Sequence, residues 1–213
     1  MGGRSRRRVG ILGGTFDPIH AGHLAIAKAV RDELYLDELI LVPAGDPYLR
    51  TRSPEAPAEA RAEMVALAIR GESRLRLSRV DLERGGPSYS VDTIADLREE
   101  LGSAVELFYI VGADTLEQLP DWRDPGRLRK EAVIVCVGRP GERDANSLSA
   151  EHPGSKSIYV RGPMMAVSGQ EIRARLQVGK SIGDLVPALV VEYIENHGLY
   201  RRSAPSGGEC DVE

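Results

Sequence analysis

The segment Gly13-Gly14-Thr15-Phe16-Asp17-Pro18-Ile19-His20-Ala21-Gly22-His23 gathers residue types suited to holding a phosphate. It follows a short apolar run, Val9 to Leu12, and precedes a helical pattern. Gly13 and Gly14 carry no side chain to obstruct an anion approaching the backbone. The helix that opens near Ala21 points unpaired N–H groups and its positive dipole end back into the same space. Thr15 adds a hydroxyl donor. His20 and His23 are three positions apart, so they share one face of a first helical turn, and Gly22 keeps that face open. Two imidazoles so placed can donate to phosphate oxygens whose charge rises in a transition state. The segment is not a P-loop, because it lacks the Gly-Lys-Ser/Thr ending. A metal site is the competing reading. Asp17 is the only carboxylate in the segment and no third histidine is close in sequence, whereas catalytic zinc normally takes three protein ligands.

The scaffold for these residues is a series of β-rich runs alternating with helical patterns. Val9 to Leu12 reads as a buried strand. A helix follows over Leu24 to Leu34, with Ile26, Val30 and Leu34 able to face inward. Glu38 to Val42 is a second strand, closed by Pro43. Glu59 to Ile69 is a second helix, with Ala60, Met64, Leu67 and Ala68 on one face. Leu75 to Leu82 is strand-like. Ser90 to Leu101 carries the stripe Val91, Ile94, Leu97, Leu101 and stops at Gly102. Strands are predicted over Val105 to Val111, Val133 to Val137 and Ser157 to Val160. Helices are predicted over Ser168 to Leu176 and Pro187 to Asn196, the last with Gly198 just past its end. Asp124, Arg127 and Arg129 read as solvated charges. Two loops, 44–58 and 138–156, are long and rich in breakers. The alternation predicts an α/β fold whose parallel sheet is covered on both faces, with ligand beyond the carboxyl ends of the strands at the switch point.

The 213 residues, 42% hydrophobic and 28% charged, suit one large globular domain. Cys136 sits in an apolar run and Cys210 in a polar tail, so neither a disulfide framework nor a cysteine-rich zinc pattern is available. The formal net charge of −4 argues against a general nucleic-acid binder. Arg4, Arg6, Arg7 and Arg8 read as a solvated end, since Val9 to Leu12 is too short for a signal-peptide core. No apolar run reaches membrane-spanning length, and the expectation is a cytoplasmic protein.

Residues 13–24, Gly-Gly-Thr-Phe-Asp-Pro-Ile-His-Ala-Gly-His-Leu, resemble the nucleotidylyltransferase signature, in particular that of bacterial nicotinate-nucleotide adenylyltransferases. The resemblance runs from about Val9 to Tyr200. It implies a Rossmann-like doubly wound parallel sheet with a helical C-terminal part, in a single domain over 1–202 followed by a polar tail at 203–213. It also implies transfer of an adenylyl group from ATP to nicotinate mononucleotide, giving deamido-NAD and pyrophosphate. Magnesium would be held mainly by the ATP phosphates, with no protein ligand assigned. The partners would be ATP and the mononucleotide, with no nucleic acid or membrane, and a homo-oligomer stays open.

The resemblance also distributes roles. His20, His23, Thr15 and Arg173 are the catalytic candidates, and Gly13, Gly14 and Phe16 join them at ATP. Ser168-Gly169-Gln170-Glu171-Ile172-Arg173 resembles the family's second motif, usually Ser-Ser-Thr-x-Ile-Arg, which brings Ser168, Ile172 and Arg173 to the nucleotide. Ser168 with Glu171 also reads as a capping box, placing Arg173 one turn further in. Gly169 and Gln170 depart from the family pattern. In the loop from Pro43, Arg50 stands where the family has a basic residue and Leu49 where it has a histidine. Arg139, after the strand ending at Val137, would lie against the adenine. The segment Gly85-Gly86-Pro87-Ser88-Tyr89-Ser90-Val91-Asp92-Thr93 resembles the family's acceptor segment and contributes Ser88 and Tyr89. Asp114 follows a strand end, and Trp122 would stack on the pyridine ring.

Three other readings stand beside this one. The chain could be a relative with another acceptor, such as nicotinamide mononucleotide or phosphopantetheine, or one that uses CTP. A class I aminoacyl-tRNA synthetase core shares the His-x-Gly-His element, but no Lys-Met-Ser-Lys-Ser loop is evident. A non-catalytic nucleotide-binding module would not need both histidines together with Arg173.

Overall fold

A computed structural model describes residues 6–48, 52–138, 148–165 and 167–201. Arg4, Leu49, Arg50, Arg139, Cys210 and the predicted tail therefore lie outside the described residues. Six parallel strands form one sheet in the order β3-β2-β1-β4-β5-β6. They are β1 (Arg7–Gly14), β2 (Glu38–Pro43), β3 (Leu75–Leu77), β4 (Val105–Gly112), β5 (Val133–Gly138) and β6 (Ile158–Arg161). β1 pairs with both β2 and β4, through Ile11 opposite Ile40 and opposite Tyr109. The strand order reverses between β1 and β4, so the switch point opens at the carboxyl ends of these two strands. This is the doubly wound arrangement expected.

The eight α-helices among the described residues are α1 (Ala21–Glu33), α2 (Ala58–Ala68), α3 (Val80–Arg84), α4 (Ser90–Leu101), α5 (Ala113–Glu117), α6 (Pro125–Glu131), α7 (Gly169–Gln177) and α8 (Ala188–Asn196). None is long and apolar enough to cross a membrane. Side chains that alternate along each strand feed two cores, as a sheet covered on both faces requires. Leu12, Leu39, Leu41, Ile110 and Val135 pack with Ala27, Val30, Met64, Ile172, Val190 and Ile194. Val9, Ile11, Ile40, Val42 and Val111 pack with Ile94, Leu97, Leu116 and Leu128 on the other face. Each of the larger of these side chains, withdrawn from water, contributes about 1.5–3 kcal/mol.

Several expectations need correction, first the solvated end: Arg7 and Arg8 lie in β1, ion-paired to Glu38 (3.0 Å) and Glu106 (3.4 Å). α1 opens at Ala21, as the phosphate segment implied, three residues before the apolar run read from Leu24, with His20 as its extended N-cap (φ −145°). The first turn carries Ala, Gly and His, so the apolar periodicity starts after the helix does. Strand pairing of the run Leu75 to Leu82 ends at Leu77, and α3 occupies Val80–Arg84. Ser78 N–H still donates to Leu41 O (3.0 Å), but Pro43, next on β2, has no N–H to continue the ladder. Asp124 is not merely solvated: its carboxylate accepts from Arg127 N–H (3.0 Å) and caps α6.

Candidate active site

A cavity of about 1290 Å³ lies beyond the carboxyl ends of β1, β4 and β5, where the topology placed it. β1 delivers Gly13 and Gly14 to its floor. A Cβ on Gly13 would come 2.8 Å from the Tyr109 hydroxyl, and one on Gly14 would come 2.9 Å from the Phe16 ring. A side chain at either position would therefore press on the rings packed around this floor. Phe16 takes a left-handed φ of 49°, is buried, and sets its ring edge-on to His23 at 5.0 Å. Ile172, expected at the nucleotide, is instead fully buried in the core and does not line the cavity, because its apolar side chain packs inward from α7.

His20 and His23 stack with ring centroids 3.7 Å apart. Burial pushes the His20 pKa down to about 4, so its imidazole is neutral at pH 7. Its Nδ1 is buried with no hydrogen-bond partner among the described residues. The His20 backbone N–H donates to His23 Nδ1 (3.3 Å). That bond assigns the proton of a neutral His23 to Nε2 and leaves Nε2–H as the donor. The neutral His20 ring and the Nε2 side of His23 thus face the N-terminus of α1, which adds its own partial positive charge.

Arg173 reaches the same loop from α7. Ser168 caps that helix, its Oγ accepting from Glu171 N–H (3.1 Å). The Glu171 carboxylate pairs with Arg175 (2.8 Å), so only half of the expected capping box forms. Arg173 Nη1 donates to Asp17 O (2.5 Å) and Nε to Glu55 Oε1 (2.7 Å). Gly169 makes room for this: a Cβ there would sit 2.9 Å from Asp17 O and 3.2 Å from Arg173 Nη1. Thr15, Ser168 and Arg173 all line the cavity.

Beneath the loop lies a network that sequence reasoning missed. The buried Asp17 carboxylate accepts from Glu55 N–H (2.9 Å), Ala56 N–H (3.1 Å) and the Tyr200 hydroxyl (2.8 Å). Arg61, 1% exposed, donates to the carbonyls of Thr15 (2.7 Å), Ala56 (3.2 Å) and Gly45 (3.3 Å). Burial pulls the Arg61 pKa down and the Asp17 charge opposes it. Burial, with Asp17 beside it, raises the Tyr200 pKa and keeps the hydroxyl a donor. Sequence separations as long as 183 positions hide such contacts. The one available signal was that Asp17 has no partner inside its own motif.

The acceptor-side candidates gather around α4 and α5. Ser88, Asp114 and Trp122 line the cavity. Ser88 Oγ accepts from Asp46 N–H (3.2 Å), tying the loop after β2 to the start of α4. Tyr89 lies between Tyr48, 4.5 Å away, and the Arg123 guanidinium, 4.5 Å over its ring; Tyr48, not Tyr89, is the ring at the wall. Trp122 is 8% exposed and meets Tyr109 edge-on at 6.1 Å, with Nε1 buried and unpartnered among the described residues. It is part of a core cluster as well as a wall residue. Arg50 and Arg139 lie outside the described residues. No group of three or more His, Cys, Asp or Glu that could hold a metal ion occurs among those described.

Residues 11–175 match a family model described as cytidylyltransferase-like. The chain belongs to the cytidylyltransferase-like family. Within it, the chain is 43% identical over 192 residues to a probable nicotinate-nucleotide adenylyltransferase of Salinispora arenicola (strain CNS-205), covering 90% of this chain and 100% of that one. It is 41% identical to the probable nicotinate-nucleotide adenylyltransferase of Dehalococcoides mccartyi (strain ATCC BAA-2266 / KCTC 15142 / 195), over 92% and 98% of the two chains. Among solved structures, the Plasmodium falciparum nicotinic acid mononucleotide adenylyltransferase complexed with NaAD is similar, with a TM-score of 0.69 at 20% identity over 91% of this chain and 97% of that one. At that identity the likeness establishes the fold. The cytidylyltransferase-like match spans both the His20/His23 turn and Arg173.

Proposed function

We propose that this chain transfers the adenylyl group of ATP to nicotinate mononucleotide, giving deamido-NAD and pyrophosphate within a single domain over 1–202. One observation carries the reading: two stacked histidines at a helix N-terminus share a cavity with Arg173 across a glycine-floored loop. The names of relatives more than 40% identical over nine tenths of the chain support the acceptor.

A 5′-phosphate oxygen of the mononucleotide attacks the α-phosphorus of ATP in line. The bond from that phosphorus to the bridging oxygen breaks, and pyrophosphate leaves with the electron pair. Positioning and charge stabilisation do most of the work in such a transfer. His23 Nε2–H would donate to the α-phosphate as its charge grows, while His20 and Thr15 orient the phosphate chain. Arg173, at the Ser168-capped end of α7, would hold the departing phosphates, with Arg50 as its companion. Trp122 and Tyr48 would bound the pyridine ring, with Ser88 and Asp114 beside it, and Arg139 the adenine. Magnesium, held by ATP oxygens and water, would neutralise phosphate charge.

The test is pyrophosphate release from ATP and magnesium with nicotinate mononucleotide, nicotinamide mononucleotide and phosphopantetheine supplied separately. Turnover strongest with the nicotinate compound is expected. Turnover confined to another acceptor would overturn the acceptor assignment. ATP binding without release for any acceptor would favour a non-catalytic module.

A further inference from the structure

We infer that Tyr200 is a positioning residue for the nucleotide site, acting through the buried Asp17 carboxylate on Arg173. The inference rests on the proposed role of Arg173 at the ATP phosphates.

The geometry forms a chain of contacts. Tyr200 is 7% exposed and its hydroxyl donates to Asp17 Oδ1 at 2.8 Å. The other carboxylate oxygen, Oδ2, lies 3.6 Å from Arg173 Nη1, and the carbonyl of the same Asp17 accepts from that nitrogen. One residue of the phosphate loop therefore sees the arginine through both its side chain and its backbone. Its carboxylate also holds the N–H groups of Glu55 and Ala56, and Glu55 in turn grips Arg173 Nε.

Without its hydroxyl donor, Asp17 Oδ1 keeps only the Ala56 N–H. A buried carboxylate short of a donor turns toward the next available one, and Arg173 Nη1 is the nearest cation. Drawing the guanidinium from the Asp17 carbonyl onto the carboxylate swings it away from the cavity. Tyr200 can do this work at any ordinary pH, because its raised pKa keeps it protonated. It touches no substrate itself, since it is absent from the cavity wall. Gly169 belongs to the same seat, because a Cβ there would press on Asp17 O and Arg173 Nη1 together.

The experiment compares wild type with Tyr200→Phe, varying ATP and nicotinate mononucleotide separately in pyrophosphate release, and measuring ATP-magnesium binding alone by calorimetry. Expected for Tyr200→Phe is about a tenfold weakening toward ATP, the scale of one hydrogen bond to a charged group. The KM for the mononucleotide should stay within about twofold, because a charge misplaced at Arg173 does not reach the acceptor wall. Equal losses toward both substrates, or none toward ATP, would overturn the inference. Should Tyr200→Phe fail to fold, Gly169→Ala disturbs the same seat from a helix N-terminus, away from the core. An unchanged ATP affinity in that variant overturns the inference as well. Wild type that binds ATP but leaves nicotinate mononucleotide untouched would defeat the proposed acceptor, while the ATP affinities of the variants would still decide the role of Tyr200.

Discussion

The two histidines do different things although they stack face to face. His23 has its proton directed to Nε2 by the His20 N–H, which makes it the ready donor. His23→Ala should lower turnover about a hundredfold or more with little change in ATP affinity, as loss of one transition-state donor does elsewhere. Steady-state pyrophosphate release checks this, and near-normal turnover would remove His23 from the role. His20 pays in stability for its burial. Its native pKa of about 4 lies below the unfolded value of 6.5. Between these two values the unfolded chain binds a proton that the native chain does not. Acidification from 6.5 toward 4 should therefore cost stability, about 3 kcal/mol in total, with no such contribution above pH 6.5. Urea denaturation at pH 7.5 and at pH 5 should show a larger drop in wild type than in His20→Asn. Equal drops would place the proton elsewhere. At this scale the sequence was legible where the chemistry is local: Gly13, Thr15, His20 and His23 sit within eleven positions. Arg61 and Tyr200 were not legible, because an arginine in a helix and a tyrosine near a polar stretch have ordinary surface roles in any sequence.

Among the helices, α4, with a long apolar stripe, was read correctly, and the short α3, α5 and α6 were missed. α4 was placed residue for residue at Ser90–Leu101, since four apolar side chains mark its face. α5 and α6 are short and bury only Leu116 and Leu128, too little for a periodicity. What holds α6 is its start: Asp124 caps it and Pro125 opens it, a pattern visible in the sequence once sought. Asp124→Ala should destabilise the protein by about 1 kcal/mol through the lost cap, with Trp122 just upstream made more mobile. Chemical denaturation measures the first effect; an unchanged midpoint would mean that packing at Leu128 alone holds the helix. The overextended third strand has the opposite cause. Alternation of Leu75, Leu77 and Val80-Asp81-Leu82 invites a strand, but the neighbour runs out of donors at Pro43.

For the whole molecule, alternation of strands and helices foretold the layers and the carboxyl-end site, while the order of strands came only from the structure. Its consequence is that ATP would touch segments from both ends of the described chain at once: β1, the loop before α2, and α7, with Tyr200 behind them. Ligand binding should therefore stabilise the fold as one unit. ATP with magnesium at about a hundredfold its Kd should add about 2.7 kcal/mol to the unfolding free energy. Calorimetric melting should show one transition moving upward, and a shift confined to a minor early transition would mean that the C-terminal helices melt independently.

Trp122 has an optical consequence. It is the chain's sole tryptophan, buried against Tyr109 with its indole N–H unpaired among the described residues. Intrinsic emission excited at the red edge therefore comes from one wall of one cavity. A molecule entering beside that wall changes the polarity around a single fluorophore, so the protein carries its own reporter of whether the proposed acceptor occupies that wall, with no label to perturb it.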